Sequence, residues 1–191
     1  MKKLFSPLMA AVCISTVSCS QPKEEAPKEL PSPQTTLDAM ARANHYFMEK
    51  YKNPGDDIVG RKTWPSNIWT RGVYYEGLMA LYSIDPKKEY YNYAKDWSQA
   101  HEWNFRDGIT TRNADNQCAG QTYIDLFRID GDTSYIVNTK ASIDSMMATD
   151  SINDWDWIDA IQMGMPVFAK LGTIYKDTSY YNRMREMYLY S

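Results

Sequence analysis

The sequence predicts an all-α protein built from helical hairpins. Three observations carry that expectation. Apolar residues recur at helical spacing through the last 155 or so residues, no stretch carries a strand pattern, and the chain repeats itself every 45 residues. Ile84, Ile129 and Ile174 stand in one register, as do Tyr90, Tyr135 and Tyr180, and Leu81, Leu126 and Leu171. Self-similarity at this period is the mark of stacked helix pairs, which either run on as an open solenoid or close into a ring.

Each unit reads as an apolar helix, a turn and a more polar helix. The apolar helices are expected at Trp69–Tyr82, Asn116–Phe127 and Trp157–Leu171, and the polar ones at Lys87–Trp103, Ser134–Met147 and from Ser179 onward. Asp85-Pro86 reads as a cap followed by a proline at the first helical position. Thr133-Ser134 and Thr178-Ser179 read as caps of the same kind. Gly72, Gly77, Ala80, Ala119, Gly120 and Gly164 lie in the apolar helices. Small side chains let helices approach closely, which suits the inner layer of a toroid. Lys, Asp, Asn and Tyr in the other helices suit its outer layer. Pro166 should kink the last apolar helix. A separate opening helix, Leu37–Tyr51, carries Leu37, Met40, Ala41, Asn44, Phe47, Met48 and Tyr51 on one stripe, with Asn44 its single polar member. Six such hairpins would need roughly 270 residues at this period. The 191 residues supply fewer than three units and the opening helix, so we expect about half a ring, the front part of a longer chain.

Residues 1–18 read as a signal peptide, with Lys2 and Lys3 ahead of a short apolar stretch. That stretch is too short for a membrane span of about 20 residues. Its ending, Thr16-Val17-Ser18-Cys19, resembles a bacterial lipoprotein signal, which implies lipidation of Cys19 and a membrane anchor. Ordinary cleavage near Ser18 or Ser20 is the alternative, and either implies export to the periplasm or the membrane surface. Residues 19–36 hold four prolines and read as a disordered tether, leaving 37–191 as the globular part.

The full chain has a net charge of −3. No basic patch or arginine-rich run appears, which argues against a nucleic-acid partner. With Cys13 and Cys19 in the leader, Cys118 is alone and no disulfide is expected. The two histidines, His45 and His101, belong to no metal-ligand spacing, so no metal or cofactor is expected.

The most informative segment is Trp155-Asp-Trp-Ile-Asp159, which opens an apolar helix. A carboxyl at such a position can hold a proton if burial raises its pKa, and an indole offers a face for a sugar ring. The plainer explanation is an acid favoured by the helix dipole beside core tryptophans. Asp159 is less easily explained that way, because Asn153 or Asp154 can already cap the helix, which leaves Asp159 one turn inside with no obvious structural duty. The repeat places Asp115 and Asp159 at nearly the same point of successive units, where the chain enters the inner helix. Two carboxylates on one mouth can split their pKa values and take separate roles. Asp115 also fits an ordinary N-cap.

Three segments, Asn67-Ile-Trp-Thr-Arg-Gly-Val-Tyr-Tyr-Glu-Gly-Leu78, Arg112-Asn-Ala-Asp-Asn-Gln-Cys-Ala-Gly-Gln-Thr-Tyr123 and Trp157-Ile-Asp-Ala-Ile-Gln-Met-Gly-Met-Pro166, resemble glycoside hydrolase family 105, the unsaturated rhamnogalacturonyl and glucuronyl hydrolases. The resemblance implies an (α/α)6 toroid and a substrate oligosaccharide capped by a 4,5-unsaturated uronic acid. It implies hydration of the C4=C5 vinyl ether rather than displacement at the anomeric carbon. On that resemblance Asp159 is the catalytic acid, Asp115 its partner toward the sugar hydroxyls, and Trp157 a stacking platform, with Trp69 and Arg71 as further substrate-binding candidates. The family's later substrate residues fall beyond Ser191. A second reading of the same features is a surface lipoprotein that binds glycans on a helical-repeat scaffold without chemistry.

Overall fold

The computed structural model describes residues 29–191. The leader, Cys19 and the first part of the tether lie outside the described residues. The elements run α1 (Pro33–Lys50), β1 (Ile58–Val59), β2 (Thr63–Trp64), α2 (Trp69–Ile84), α3 (Lys88–Ala100), α4 (Ala114–Gln117) and α5 (Ala119–Asp130). A 3-10 turn (Thr133–Ile136) leads into α6 (Val137–Met147), followed by α7 (Ile158–Tyr175) and α8 (Thr178–Tyr190). Within Pro33–Ser191 these are helical hairpins of an all-α toroid, as the repeat predicts. The inner helices α2, α5 and α7 pack in series, with α5 between the other two, and α3 and α8 back them on the outer side. Glu76, Gln121, Asp125, Pro166 and Lys170 from the three inner helices share one concave cavity of about 560 Å³. There Lys170 donates to the Asp125 carboxylate at 2.7 and 2.8 Å.

Close approach of the inner helices depends on glycine. A Cβ on Gly72 would sit 3.1 Å from the Cys118 sulfur, and one on Gly164 would sit 2.9 Å from Trp155 Nε1. The outer layer closes over a core of aromatics. Trp97 is fully buried, stacks on Tyr75 at 4.0 Å, and donates from its indole nitrogen to the Ser66 carbonyl. On α1, Asn44 is the buried residue of the stripe because its Oδ1 accepts a hydrogen bond from the Tyr74 hydroxyl, beneath the Phe47–Tyr74 stack.

Several local expectations are corrected. The caps after the inner helices fall one or more residues away from those expected. Asp132 and Asp177, 45 residues apart, accept from the backbone N–H of Ser134 and Ser179. Thr133-Ser134 and Thr178-Ser179 therefore lie inside the first turn. The equivalent residue in the first unit is Lys87, with no side-chain cap. There Asp85 instead ends α2, its backbone N–H on the Leu81 carbonyl, and its carboxylate meets Lys87 Nζ at 3.0 Å. The helix expected at Asn116–Phe127 is two pieces, α4 and α5, divided at Cys118. Pro166 lies inside α7, in the helix where the sequence places it. A two-residue hairpin pairs Ile58 with Trp64 and Val59 with Thr63, too short to leave a period-2 pattern. α1 begins at Pro33, four residues before Leu37. No described helix is long and apolar enough to cross a membrane.

Candidate active site

The chain enters α7 through residues 148–157, which are irregular apart from a turn at their start. Such a segment needs partners for its carbonyls, and two arginines supply them. Arg183 of α8 donates to the carbonyls of Met147, Thr149 and Ser151. Arg112 grips Asp154 through Nε at 2.7 Å and Nη2 at 2.6 Å, and donates to Thr149 Oγ1 and the Ser151 carbonyl. A planar fork matched to a carboxylate in this way fixes orientation as well as position. Trp155 pins the far end of the loop. It is 1% exposed, meets Phe168 edge-on at 5.9 Å, and lies against Gly164. Its indole N–H has no hydrogen-bond partner, so packing alone holds it there.

Replacing Arg112 with Ala should cost about 2 kcal/mol. That is below the value for a fully buried pair because the arginine is partly exposed. Urea unfolding checks it. Asp154→Asn in the same chain should recover part of the loss, since the Asp154 side chain is only 9% exposed and its charge would otherwise stand unpaired.

The staked loop, the entry of α4 and the entry of α2 form one open cleft of about 440 Å³. It brings together Asp115 and Asp159 with Trp69 and Trp157, and adds Asn113, Asp154, Asp156 and the edge of Ala160. Asp115 is not the cap of α4. Asn113 is, accepting the Asp115 backbone N–H at 2.8 Å, which leaves the Asp115 side chain on the cleft. Burial pushes the Asp115 carboxyl above its ordinary pKa, and the charge of Asp159 adds to the rise, against a smaller pull from Arg106.

The burial argument for Asp159 is corrected. It lies in the first turn of α7, one position after Ile158, and is exposed. Neither Asn153 nor Asp154 caps that helix. Trp157 occupies the N-cap position with no side-chain bond, because Asp154 is committed to Arg112. Trp157 is 78% exposed, so its face stands open to solvent at the cleft's edge. Arg71 is not in this cleft. Its guanidinium lies 3.6 Å from the Tyr51 ring and 4.8 Å from that of Phe47, lining a separate pocket beside the 51–59 loop.

Sequence reasoning did not single out Asn113 or the Arg112–Asp154 pair. An asparagine two residues before an acid at a helix start is a local capping signal. A pair spanning 42 positions leaves no local signal. Among the described residues no group of three or more His, Cys, Asp or Glu could hold a metal ion.

The raised carboxyl of Asp115 has a stability consequence. The folded state holds this proton more tightly than the unfolded chain, so the ionised side chain costs stability above the raised pKa. Asp115→Asn should therefore raise the melting temperature at neutral pH. The gain should fade as pH falls through the raised pKa and be gone below the ordinary aspartate range, as a thermal melt series across pH would record.

The profile described as Glycosyl Hydrolase Family 88 matches residues 39–191. Among solved structures, a glycosyl hydrolase family 88 protein from Bacteroides vulgatus superposes with a TM-score of 0.73 at 24% identity, over 83% of this chain and 47% of its own. A protein described as a polysaccharide lyase superposes with a TM-score of 0.71 at 26% identity, over 82% of this chain and 46% of its own. The chain thus spans less than half the length of either. No curated protein matches it.

Proposed function

The chain belongs to glycosyl hydrolase family 88, and from that premise we propose that its cleft takes an oligosaccharide ending in a 4,5-unsaturated uronic acid and hydrates the C4=C5 bond. Family 105, which the sequence resembles, is a close relative of the family matched, and the unsaturated cap is what the two readings share. The observation that carries the proposal is the single cleft that holds Asp115, Asp159, Trp69 and Trp157.

In this reaction Asp159 gives a proton to C4. Water adds at C5, and the proton it sheds returns to the Asp159 carboxylate. The resulting hemiketal opens and frees the rest of the oligosaccharide. Protonating carbon requires an acid that is itself protonated. A sugar stacked on Trp157 removes water from Asp159, and the uronate brings a second negative charge nearby. Both favour the protonated form. Asp115, on the same cleft, then serves as a hydrogen-bonding partner to the sugar hydroxyls. Carboxylate separation does not govern the outcome, because no bond at the anomeric carbon is displaced. An exported protein anchored through Cys19 fits this chemistry, since lyase products of polysaccharides form outside the cell.

The test is to incubate the protein with a lyase-generated unsaturated disaccharide and follow the ultraviolet absorbance of the C4=C5 bond. Loss of absorbance, absent with a saturated disaccharide, is the expected result. Binding to the tryptophan-lined cleft without loss would instead mark a non-catalytic glycan-binding protein.

A further inference from the structure

Three connections lead into the inner helices, at residues 51–68, 101–113 and 148–157. They run up to Trp69, Asn113 and Trp157, all three on the cleft. The cleft itself is acidic, with Asp115, Asp156 and Asp159 on its wall, and Arg112 beside it is committed to Asp154. Among the described residues no lysine or arginine lines it. An acidic saccharide needs a countercharge, and the nearest lies on the first two connections.

Arg106 stands on the second connection. Its guanidinium lies 4.8 Å from the ring centre of Trp64 on the first connection, and Lys62 Nζ lies 6.0 Å from the same ring. Side-chain bonds tie the two connections together. The Asn104 carbonyl accepts from Asn67 Nδ2 at 3.2 Å and from the Tyr123 hydroxyl at 2.9 Å. Phe105 is buried against Gly120, and Asp107 Oδ2 accepts from Asn116 Nδ2 at 2.9 Å. Both neighbours of Arg106 are thus fixed to the entry of the inner layer, and the arginine extends from a pinned backbone.

The guanidinium is poorly matched within the chain. Its one carboxylate contact, Asp107 Oδ1, is 3.8 Å away, at the limit of an ion pair. The indole covers one face and leaves the edge N–H groups, the ones that fork onto an oxyanion. Its charge already reaches the cleft, where it pulls the Asp115 carboxyl down against the larger effects of burial and Asp159.

We propose that Arg106, with Trp64 as its platform and Lys62 beside it, binds an anionic group on the sugar next to the one in the cleft, so that the saccharide released is itself acidic. The order of the two sugars rests on the hydration reading, which sets the unsaturated uronate against Asp159. Neither Arg106 nor Trp64 lines the cleft, so the sugar they meet is the one that follows. The group recognised is an oxyanion, as a uronate carboxylate or a sulfate ester.

Three saturated trisaccharides test this by titration calorimetry. They share a terminal uronate and differ in whether the second sugar is neutral, carboxylated or sulfated, and none can be hydrated. The carboxylated ligand, the sulfated ligand or both should bind about tenfold tighter than the neutral one at low salt, the order for one charge-assisted bond. The preference should shrink as salt rises. Arg106→Gln should abolish it while leaving helicity and the neutral ligand's affinity unchanged. Arg106→Lys should keep part of it, because the charge remains without the fork. A preference for one anion alone identifies the group the site reads. Equal binding of the three ligands, or no binding, overturns the proposal, as does a preference that survives Arg106→Gln. Weakening of all three alike in that variant marks a structural role and overturns it too. Since no ligand reacts, an Arg106-dependent preference in a protein that leaves the ultraviolet absorbance untouched would sink the hydration reading alone.

Discussion

Asp159→Asn should abolish hydration of the unsaturated disaccharide, lowering kcat by about 10²–10⁴-fold, the range for loss of a positioned acid. The amide keeps the shape of the side chain and its place in the first turn of α7, so the cleft stays formed and binding persists. KM should therefore change much less than kcat, the pattern expected when an interaction made in the transition state is lost. A second readout comes from Asp115, whose raised pKa owes part of its shift to the charge of Asp159. Removing that charge should bring the Asp115 carboxyl down toward its ordinary value, visible as an earlier titration of its carboxyl carbon by NMR. Undiminished turnover in the variant would sink the assignment of Asp159. Lost turnover with an unmoved Asp115 titration would show that the two carboxylates do not act as a pair.

Trp155→Ala should cost about 3–5 kcal/mol, the range for removing a large buried aromatic. Total stabilities are about 5–15 kcal/mol, so this one change takes a large share. The indole fills the space between the loop, Gly164 and Phe168. Trp155→Phe should be milder, because it keeps ring area while deleting an N–H that has no partner. Urea midpoints for both variants check this, and near-equal costs would show that packing against Gly164 is not what holds the loop. The contrast with Trp157 is sharp. Its replacement by Ala removes an exposed ring and should leave stability nearly unchanged, since only two positions separate a core residue from a surface platform.

That contrast marks the limit of what could be read along the chain. Leu81, Leu126 and Leu171 share one register because equivalent units bury equivalent positions. A 45-residue period survives in sequence for that reason, and so the hairpins and the inner layer were legible. Asp115 and Asp159 were legible as residues of one mouth by the same logic. What held them there was not. The caps were missed by one residue because Asp132 and Asp177 take extended backbone conformations and reach two residues ahead, which the Thr-Ser pairs beside them obscured. Asp159 stands at the mouth of an apolar helix, where burial could have raised its pKa. Its exposure follows from the loop, whose partners Arg112 and Arg183 lie more than thirty residues from most of what they hold. Trp69 and Arg71 are both substrate-binding candidates on the resemblance because both lie at the entry of an inner helix, two positions apart. On a helix that spacing places side chains on different faces, and Arg71 turns toward Tyr51.

The two arginines hold the loop largely by its backbone. On the loop Arg183 donates only to carbonyl oxygens, at Met147, Thr149 and Ser151, and Arg112 shares the Ser151 carbonyl while gripping Asp154 and Thr149. Carbonyls are the same whatever residue bears them. The loop that leads to the cleft is thus fastened in a way largely indifferent to its own sequence, and the exposed side chains of Asp150, Ser151 and Asn153 can be exchanged without moving the frame that carries Trp157 and Asp159, whereas Ile152 packs against the core.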